Sequence, residues 1–132
     1  MKKGSVFFHN NFKFSDGEKG EKLLIVLNSN DMKDSDTVVC CKTTSKMKYG
    51  LINEGCYNKK NIYIIEKSPF ERKTWVQFDP NSIFLFSAQK LLDCHFKKEI
   101  ELIGYLEEQH INAIVNCFKR SDDISPFHLS LV

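Results

Sequence analysis

The chain lacks a long apolar segment and a strong overall charge. No apolar run approaches the roughly 20 residues that a membrane-spanning helix needs, and the apolar part of the basic segment 1–9 is too short for a signal-peptide core. We therefore expect a cytoplasmic protein with no membrane segment. The net charge of +2 excludes a chain that is basic throughout, so any nucleic-acid binding must come from local clusters of basic residues.

The chain also lacks C-x-x-C spacing, and its five cysteines are an odd number. This pattern is not typical of a disulfide framework or a zinc site. Cys40 and Cys41 are adjacent in a predicted strand, so their side chains should point to opposite faces of the sheet. We expect free, buried thiols in a reducing compartment, and no bound metal.

The 132 residues predict a single domain spanning 1–132. With 42% apolar and 27% charged residues, the composition is that of an ordinary globular protein. We find no internal repeat, low-complexity segment or linker.

Two apolar runs are expected to form the central strand pair. Residues 23–27 are continuously apolar, as in a strand buried on both faces. Residues 38–41 are rich in β-branched side chains and form the second run. The intervening residues 28–36 are polar turn formers. If the strands are antiparallel neighbours, Lys22 at the start of one lies near Thr44 at the end of the other.

The remaining pattern predicts further strands and two helices. The expected strands cover 4–9, 61–66, 74–78, 82–86 and 100–104, and the helices cover 87–93 and 107–120. Trp75 is expected to be a core or dimer-interface anchor. Pro126 should block further helix, so 122–132 is predicted as coil or a short strand. About six or seven short strands with a C-terminal helix indicate a mainly β (α+β) fold in the form of a small, closed barrel.

Two connections have open interpretations. Residues 10–21 contain two glycines and mixed charge, so they form either a mobile flap over a site or an ordinary surface hairpin. Residues 46–60 are basic and carry two tyrosines. They can bind phosphates and stack bases, or form a solvated loop whose apolar side chains cover the core.

Taken in order, these features resemble the MazF/PemK family of toxin endoribonucleases. Residues 3–8 (KGSVFF) are similar to the family's opening strand, and 22–28 (KLLIVLN) to its R-P-[AV]-[LV]-V-[IL] strand. Residues 37–45 (TVVCCKTTS) resemble the strand that ends in a catalytic threonine or serine. The resemblance covers most of the chain and depends on order and spacing, because no single motif is highly specific.

The resemblance implies that the barrel is SH3-like and that the protein cleaves single-stranded RNA without a metal or cofactor. The 2′-hydroxyl attacks the adjacent phosphate and leaves a 2′,3′-cyclic phosphate. This chemistry needs a base, an acid and donors to the phosphate. By position, Lys22 takes the place of the family's arginine and Thr44 that of its hydroxyl residue. Lysine cannot make arginine's two-pronged contact, but it can lose its proton in a dry site.

Charge and position indicate further residues that can take part in catalysis or RNA binding. Lys42 lies two residues from Thr44, on the same strand face, and can supply positive charge. His9 ends the first strand and titrates near neutral pH, although a structural role remains the alternative. The predicted RNA-binding residues are Lys19, Thr43, Ser45, Lys46, Lys48 and Tyr49.

The expected partners are single-stranded RNA, a cognate antitoxin protein and a second copy of the chain. The alternative is a non-catalytic barrel that binds RNA or a protein, because gyrase-poisoning toxins of similar fold act by binding alone. The arginine missing from position 22 motivates this alternative.

Overall fold

The part of the chain that this computed structural model describes, namely residues 1–13, 19–29 and 36–132, contains eight strands, three α-helices and two single-turn 3-10 helices. The strands are β1 (Ser5–Lys13), β2 (Lys19–Val26), β3 (Thr37–Thr44), β4 (Gly55–Tyr57), β5 (Ile62–Ile65), β6 (Thr74–Gln77), β7 (Ile83–Ser87) and β8 (Ile100–Tyr105). The helices are α1 (Ala88–Phe96), α2 (Glu108–Arg120) and α3 (Pro126–Leu131).

All eight strands belong to one antiparallel sheet. Seven of them follow the order β4-β5-β6-β3-β2-β1-β8, and β7 pairs with β3 beside this path. β3 pairs with β2 along one side. On its other side it pairs with β7 through its first half and with β6 through Thr43 and Thr44. The mainly β fold with a C-terminal helix is therefore confirmed. Among the described strands no pairing joins β4 to β8, so the sheet is not closed into the barrel expected above.

The central strands are buried on both faces, as their continuous apolar runs predict. One face packs under α2, whose Ile114 and Phe118 contact the cluster that contains Ile25 and Cys41. The opposite face packs under α1 and contains Leu24 and Cys40. Alternation along β3 thus sends Cys40 and Cys41 to opposite faces, which confirms that prediction.

The helix predicted near the C-terminus is confirmed as α2, and its apolar face lies in the core. Trp75 is 5% exposed and its indole N–H donates to the Leu51 carbonyl at 3.0 Å, so it is a core residue of this chain.

Two local predictions are wrong. Residues 126–131 form α3 instead of coil or strand, since Pro126 starts the helix and Ser125 caps it by accepting the His128 N–H at 3.1 Å. β4 lies inside the segment expected to be a loop, and its three residues show no apolar alternation. The connection at 10–21, predicted as a flap or a surface hairpin, and the loop at 28–36 fall partly outside the described residues, at 14–18 and 30–35.

The expectation that all cysteines are free is also wrong. Cys56 in β4 and Cys117 in α2 form a disulfide with Cα atoms 5.6 Å apart. Their separation of 61 positions gives no local signal, and α2 packing beside β4 brings them together. Cys40, Cys41 and Cys94 are free and buried, as predicted. No helix within 1–13, 19–29 and 36–132 is long and apolar enough to cross a membrane.

We expect Phe118→Ala to lower the free energy of unfolding by about 3–5 kcal/mol, because it leaves a cavity in the core. Phe118 is 0% exposed and meets Phe78 edge to face with ring centroids 5.7 Å apart. Phe96→Ala is the matched control, since Phe96 is 73% exposed. Urea unfolding of the three proteins measures both effects. Equal midpoints for the two variants would contradict the core assignment.

The disulfide predicts a specific alkylation pattern. Without reductant, an alkylating reagent should modify three of the five cysteines in the denatured chain, and after reduction all five. Intact-mass spectrometry counts the modifications. Five modified cysteines before reduction would show that Cys56 and Cys117 are not bonded in the isolated protein.

Candidate functional site

A groove of about 700 Å³ lies where β2 begins, where β3 ends and where the segment between β5 and β6 passes. Its lining combines cations, carboxylates, hydroxyls and apolar side chains. The lining residues include Phe8, Glu21, Lys22, Thr44, Lys46 and Arg72. The groove therefore presents both signs of charge to anything that enters it.

The strand register brings Lys22 and Thr44 to this groove. β2 and β3 are antiparallel, with Leu24 opposite Lys42, so Lys22 and Thr44 lie two residues further along the same pairing. Lys22 Nζ donates to the Thr43 carbonyl at 3.4 Å, which holds it against the end of β3. The structure thus brings together the two residues that the sequence nominated as catalytic.

The two threonines at the end of β3, Thr43 and Thr44, make different hydrogen bonds. Thr43 is buried and its Oγ1 donates to the Leu23 carbonyl at 2.9 Å, so this side chain ties β3 to β2. Thr44 Oγ1 accepts the Lys46 N–H at 3.1 Å. A hydroxyl has one donor and two acceptor sites. The bond from Lys46 therefore uses one acceptor site of Thr44 and leaves its O–H as a donor, while the turn fixes its oxygen.

Arg72 is a groove residue that the sequence analysis missed. It lies in the segment between β5 and β6, which carries none of the residues nominated from the sequence. Phe70 anchors this segment in the core, and Thr74 Oγ1 donates to the Arg72 carbonyl at 2.9 Å. Arg72 is one of only two arginines in the chain. Two signals could have identified Arg72: arginine is rare in this chain, and residue 72 lies just before a strand that pairs with the end of β3.

Two carboxylates, Glu21 and Glu71, also line the groove and were not nominated. Both are exposed. Glu21 is the sequence neighbour of Lys22 and Glu71 that of Arg72, so the groove contains carboxylates as well as cations. Proton transfer at a phosphodiester needs such groups close to positive charge.

The environment lowers the pKa of Lys22 below its ordinary value. Partial burial is the main cause, and the nearby charges of Lys42, Lys48 and Lys46 act in the same direction. A lysine with a lowered pKa has a larger neutral fraction near physiological pH, and it can exchange a proton more readily than an exposed lysine.

His9 lies outside the groove. Its backbone pairs with Lys22, but its side chain is 5% exposed and packs near Phe12 and Phe86. His9 Nδ1 accepts the Asn11 N–H at 3.2 Å, and burial lowers its pKa. These contacts favour the structural alternative over a catalytic role in this groove.

Of the remaining residues that the sequence nominated for catalysis or RNA binding, some line the groove and others do not. Ser45 and Lys46 line the groove, whereas Lys42 and Lys48 do not and affect it through their charge on Lys22. Tyr49 is 67% exposed outside the lining, with Lys60 Nζ 5.4 Å from its ring centroid. The side chain of Lys19 lies outside the described part of the structure.

Comparison with known proteins identifies no relative: no family model, no curated protein and no solved structure matches this chain.

The lowered pKa of Lys22 predicts a coupled titration. The resonances of Lys22 should titrate below 10.5, the ordinary value, and Lys42→Ala should raise that pKa because it removes a like charge. The unfolded chain binds more protons at Lys22 than the folded chain, so its contribution to the free energy of unfolding increases as pH rises toward 10.5.

NMR of lysine labelled with ¹³C at Cε measures this titration, and Lys22→Arg assigns the signal. Lys119→Ala is the control, since Lys119 is exposed on α2 and is not among the charges that act on Lys22. A Lys22 pKa at or above 10.5, or equal shifts in both variants, would contradict the assigned causes.

Proposed function

We propose that this protein is a metal-independent endoribonuclease of the toxin type, which cleaves single-stranded RNA to a 2′,3′-cyclic phosphate. The observation that carries the proposal is the groove in which Lys22, Lys46 and Arg72 lie with two carboxylates and the Thr44 hydroxyl. Cations hold a phosphodiester, while groups that exchange protons act on the oxygens on either side of the phosphorus.

Arg72 supplies what Lys22 cannot. Its planar guanidinium can donate two parallel hydrogen bonds to phosphate oxygens, whereas an ammonium group acts as a point charge. In the family that the sequence resembles, an arginine occupies the position of Lys22. Here the two functions are separated, with Arg72 and Lys46 stabilising the charge on the phosphate and Lys22 exchanging protons.

The reaction uses one proton acceptor and one proton donor. The 2′-hydroxyl loses its proton to a base as its oxygen attacks phosphorus, and the 5′-oxygen leaves as it receives a proton from an acid. Glu21 or Glu71 takes the first proton as the base, and protonated Lys22, whose lowered pKa makes it a better proton donor, gives its proton to the 5′-oxygen as the acid. Thr44 donates its hydroxyl proton to a non-bridging oxygen, for which the turn at Lys46 already orients it.

Apolar lining residues favour an unpaired strand as substrate. Phe8, Leu23 and Ile103 line the groove beside the charged groups. A base that is free of pairing can lie against such a surface while its phosphate meets the cations, which a duplex does not permit.

The same proposal includes the partners of a type II toxin–antitoxin system. β8 is an edge strand, and its Leu102, Ile103 and Tyr105 are exposed. An exposed apolar edge is suited to pairing with another chain, so we assign it to homodimer formation, and the cognate antitoxin would block the groove. The location that this proposal implies is the cytoplasm. Disulfides are rare in that compartment, so Cys56–Cys117 would be an exception there.

A non-catalytic RNA-binding protein is the second candidate. The observation that favours it is Lys22, which stands where the resembled family has an arginine and whose Nζ already donates to the Thr43 carbonyl at 3.4 Å. In that case the cations of the groove bind phosphates and no bond is cleaved.

Incubation of the protein with a long unstructured RNA in EDTA should produce fragments that end in 2′,3′-cyclic phosphate. Arg72→Ala, Lys22→Ala and Thr44→Ala should each reduce the cleavage rate by about 10²–10³-fold, because each removes a group that acts on the transition state. Arg72→Lys should not restore the rate, because lysine lacks the planar fork.

Arg120→Ala is the matched control for charge, since Arg120 is the other arginine and lies at the end of α2, outside the groove. RNA binding by fluorescence anisotropy accompanies the cleavage assay. Binding by the parent protein that Arg72→Ala weakens, with no cleavage, would establish the second candidate. Full activity in all three groove variants would exclude this groove as the site.

A further inference from the structure

Three side chains that can ligate a metal converge away from the groove. His9 comes from β1, Cys94 from α1, and Glu99 immediately precedes β8. One ligand atom of each lies within 4.8 Å of the other two. They border a second depression of about 380 Å³, which none of the groove residues lines.

The backbone holds these residues together independently of any ligand. The Glu99 N–H donates to the Cys94 carbonyl at 2.8 Å, and the Asn10 N–H donates to the Glu99 carbonyl at 2.9 Å. His9 is itself paired with Ile100 in the sheet. The ligand atoms therefore converge because the start of β8 is bonded both to α1 and to β1.

We propose that His9, Cys94 and Glu99 bind a zinc-type divalent cation. Imidazole nitrogen, thiolate sulfur and carboxylate oxygen are the three ligand types that zinc prefers. A thiolate and a carboxylate together neutralise the two charges of the ion. Three protein ligands leave the fourth tetrahedral position for water, which the adjoining depression admits.

The required movements are small. Tetrahedral bonds of about 2.0–2.3 Å place neighbouring ligand atoms about 3.5 Å apart, so atoms now within 4.8 Å need to approach by about an ångström. His9 and Cys94 are buried and held by their elements, whereas Glu99 is only half-buried. Glu99 can therefore supply most of the movement.

The charges around the site act in both directions. Lys90 and Lys97 line the depression and repel a cation, but their charges also lower the pKa of the Cys94 thiol. Burial raises that pKa, and Glu99 raises it through its own charge and a hydrogen bond. When a cation binds, the Cys94 thiol loses its proton to solvent. The thiolate and the Glu99 carboxylate, which otherwise repel each other, then both face positive charge.

The bond between the Asn11 N–H and His9 Nδ1 makes the proposal specific. While Nδ1 accepts this 3.2 Å bond, the neutral ring carries its proton on Nε2. Coordination through Nε2 moves that proton to Nδ1, and coordination through Nδ1 uses the lone pair that accepts from Asn11, so the bond from Asn11 breaks in either case. One long hydrogen bond is small beside three metal–ligand bonds, and its loss should be visible at the Asn11 amide.

The experiment is a cobalt titration of the protein without reductant, so that the Cys56–Cys117 disulfide remains closed. Co²⁺ should bind one to one and produce a thiolate-to-cobalt charge-transfer band with the intense visible bands of a tetrahedral centre, and Zn²⁺ should abolish both. In ¹⁵N NMR, Zn²⁺ should shift the Asn11 amide.

Cys94→Ser should abolish the charge-transfer band, and Glu99→Gln should weaken cobalt binding at least 10-fold. The matched controls are Cys41→Ser, another free buried cysteine, and Glu101→Gln, an exposed carboxylate on β8. Circular dichroism checks that each variant is folded. Where Cys94→Ser does not fold, His9→Gln and the Asn11 amide shift provide the test.

Several results would overturn the proposal: no charge-transfer band, a band that persists in Cys94→Ser, or an Asn11 amide that Zn²⁺ does not shift. RNA cleavage in EDTA does not depend on this site. A protein that binds cobalt and does not cut RNA refutes only the proposed function, and one that cuts RNA without binding cobalt refutes only the metal site.

Discussion

The pairing of β2 with β3 is the interaction on which the rest of the structure depends. The two strands are buried on both faces, so they join the core under α2 to the core under α1. Their backbone groups are satisfied by each other and by β1, β6 and β7, and burial without such partners would cost free energy at every residue. A register shift by one residue would turn the apolar side chains of each strand to the wrong core.

That same register creates the groove. Lys22 and Thr44 lie at the end of the paired region, where β3 leaves β7 and continues beside β6. The change of partner lets the segment before β6 bring Arg72 to the end of β3. A cation from β2, a hydroxyl from β3 and an arginine from a third segment therefore meet at one point, because one strand contacts several neighbours in turn.

The two depressions differ in their chemistry. The groove is lined by charges of both signs, and the pKa of Lys22 is lowered mainly by partial burial and further by the like charges around it. Soft and hard ligand atoms border the second depression, with His9 buried between aromatic rings. His9 and Lys22 are paired through their backbones and still belong to different sites. Position in a strand therefore does not settle which site a side chain serves.

The sequence by itself determined the central strands, the helix α2, the opposite orientation of Cys40 and Cys41, and the nearness of Lys22 to Thr44. These features follow from local periodicity and from the antiparallel pairing of two neighbouring apolar runs. Both signals are contained in residues that are close together in the sequence. Pro126 was misjudged because proline blocks a helix interior yet suits its first turn.

Only the tertiary structure decided the open sheet, the Cys56–Cys117 bond, the arrival of Arg72 in the groove and the meeting of His9 with Cys94 and Glu99. Each of these joins residues that are distant in sequence. Such contacts depend on how helices and loops pack on the sheet, and that packing is a sum of many weak contacts with no local pattern in the sequence.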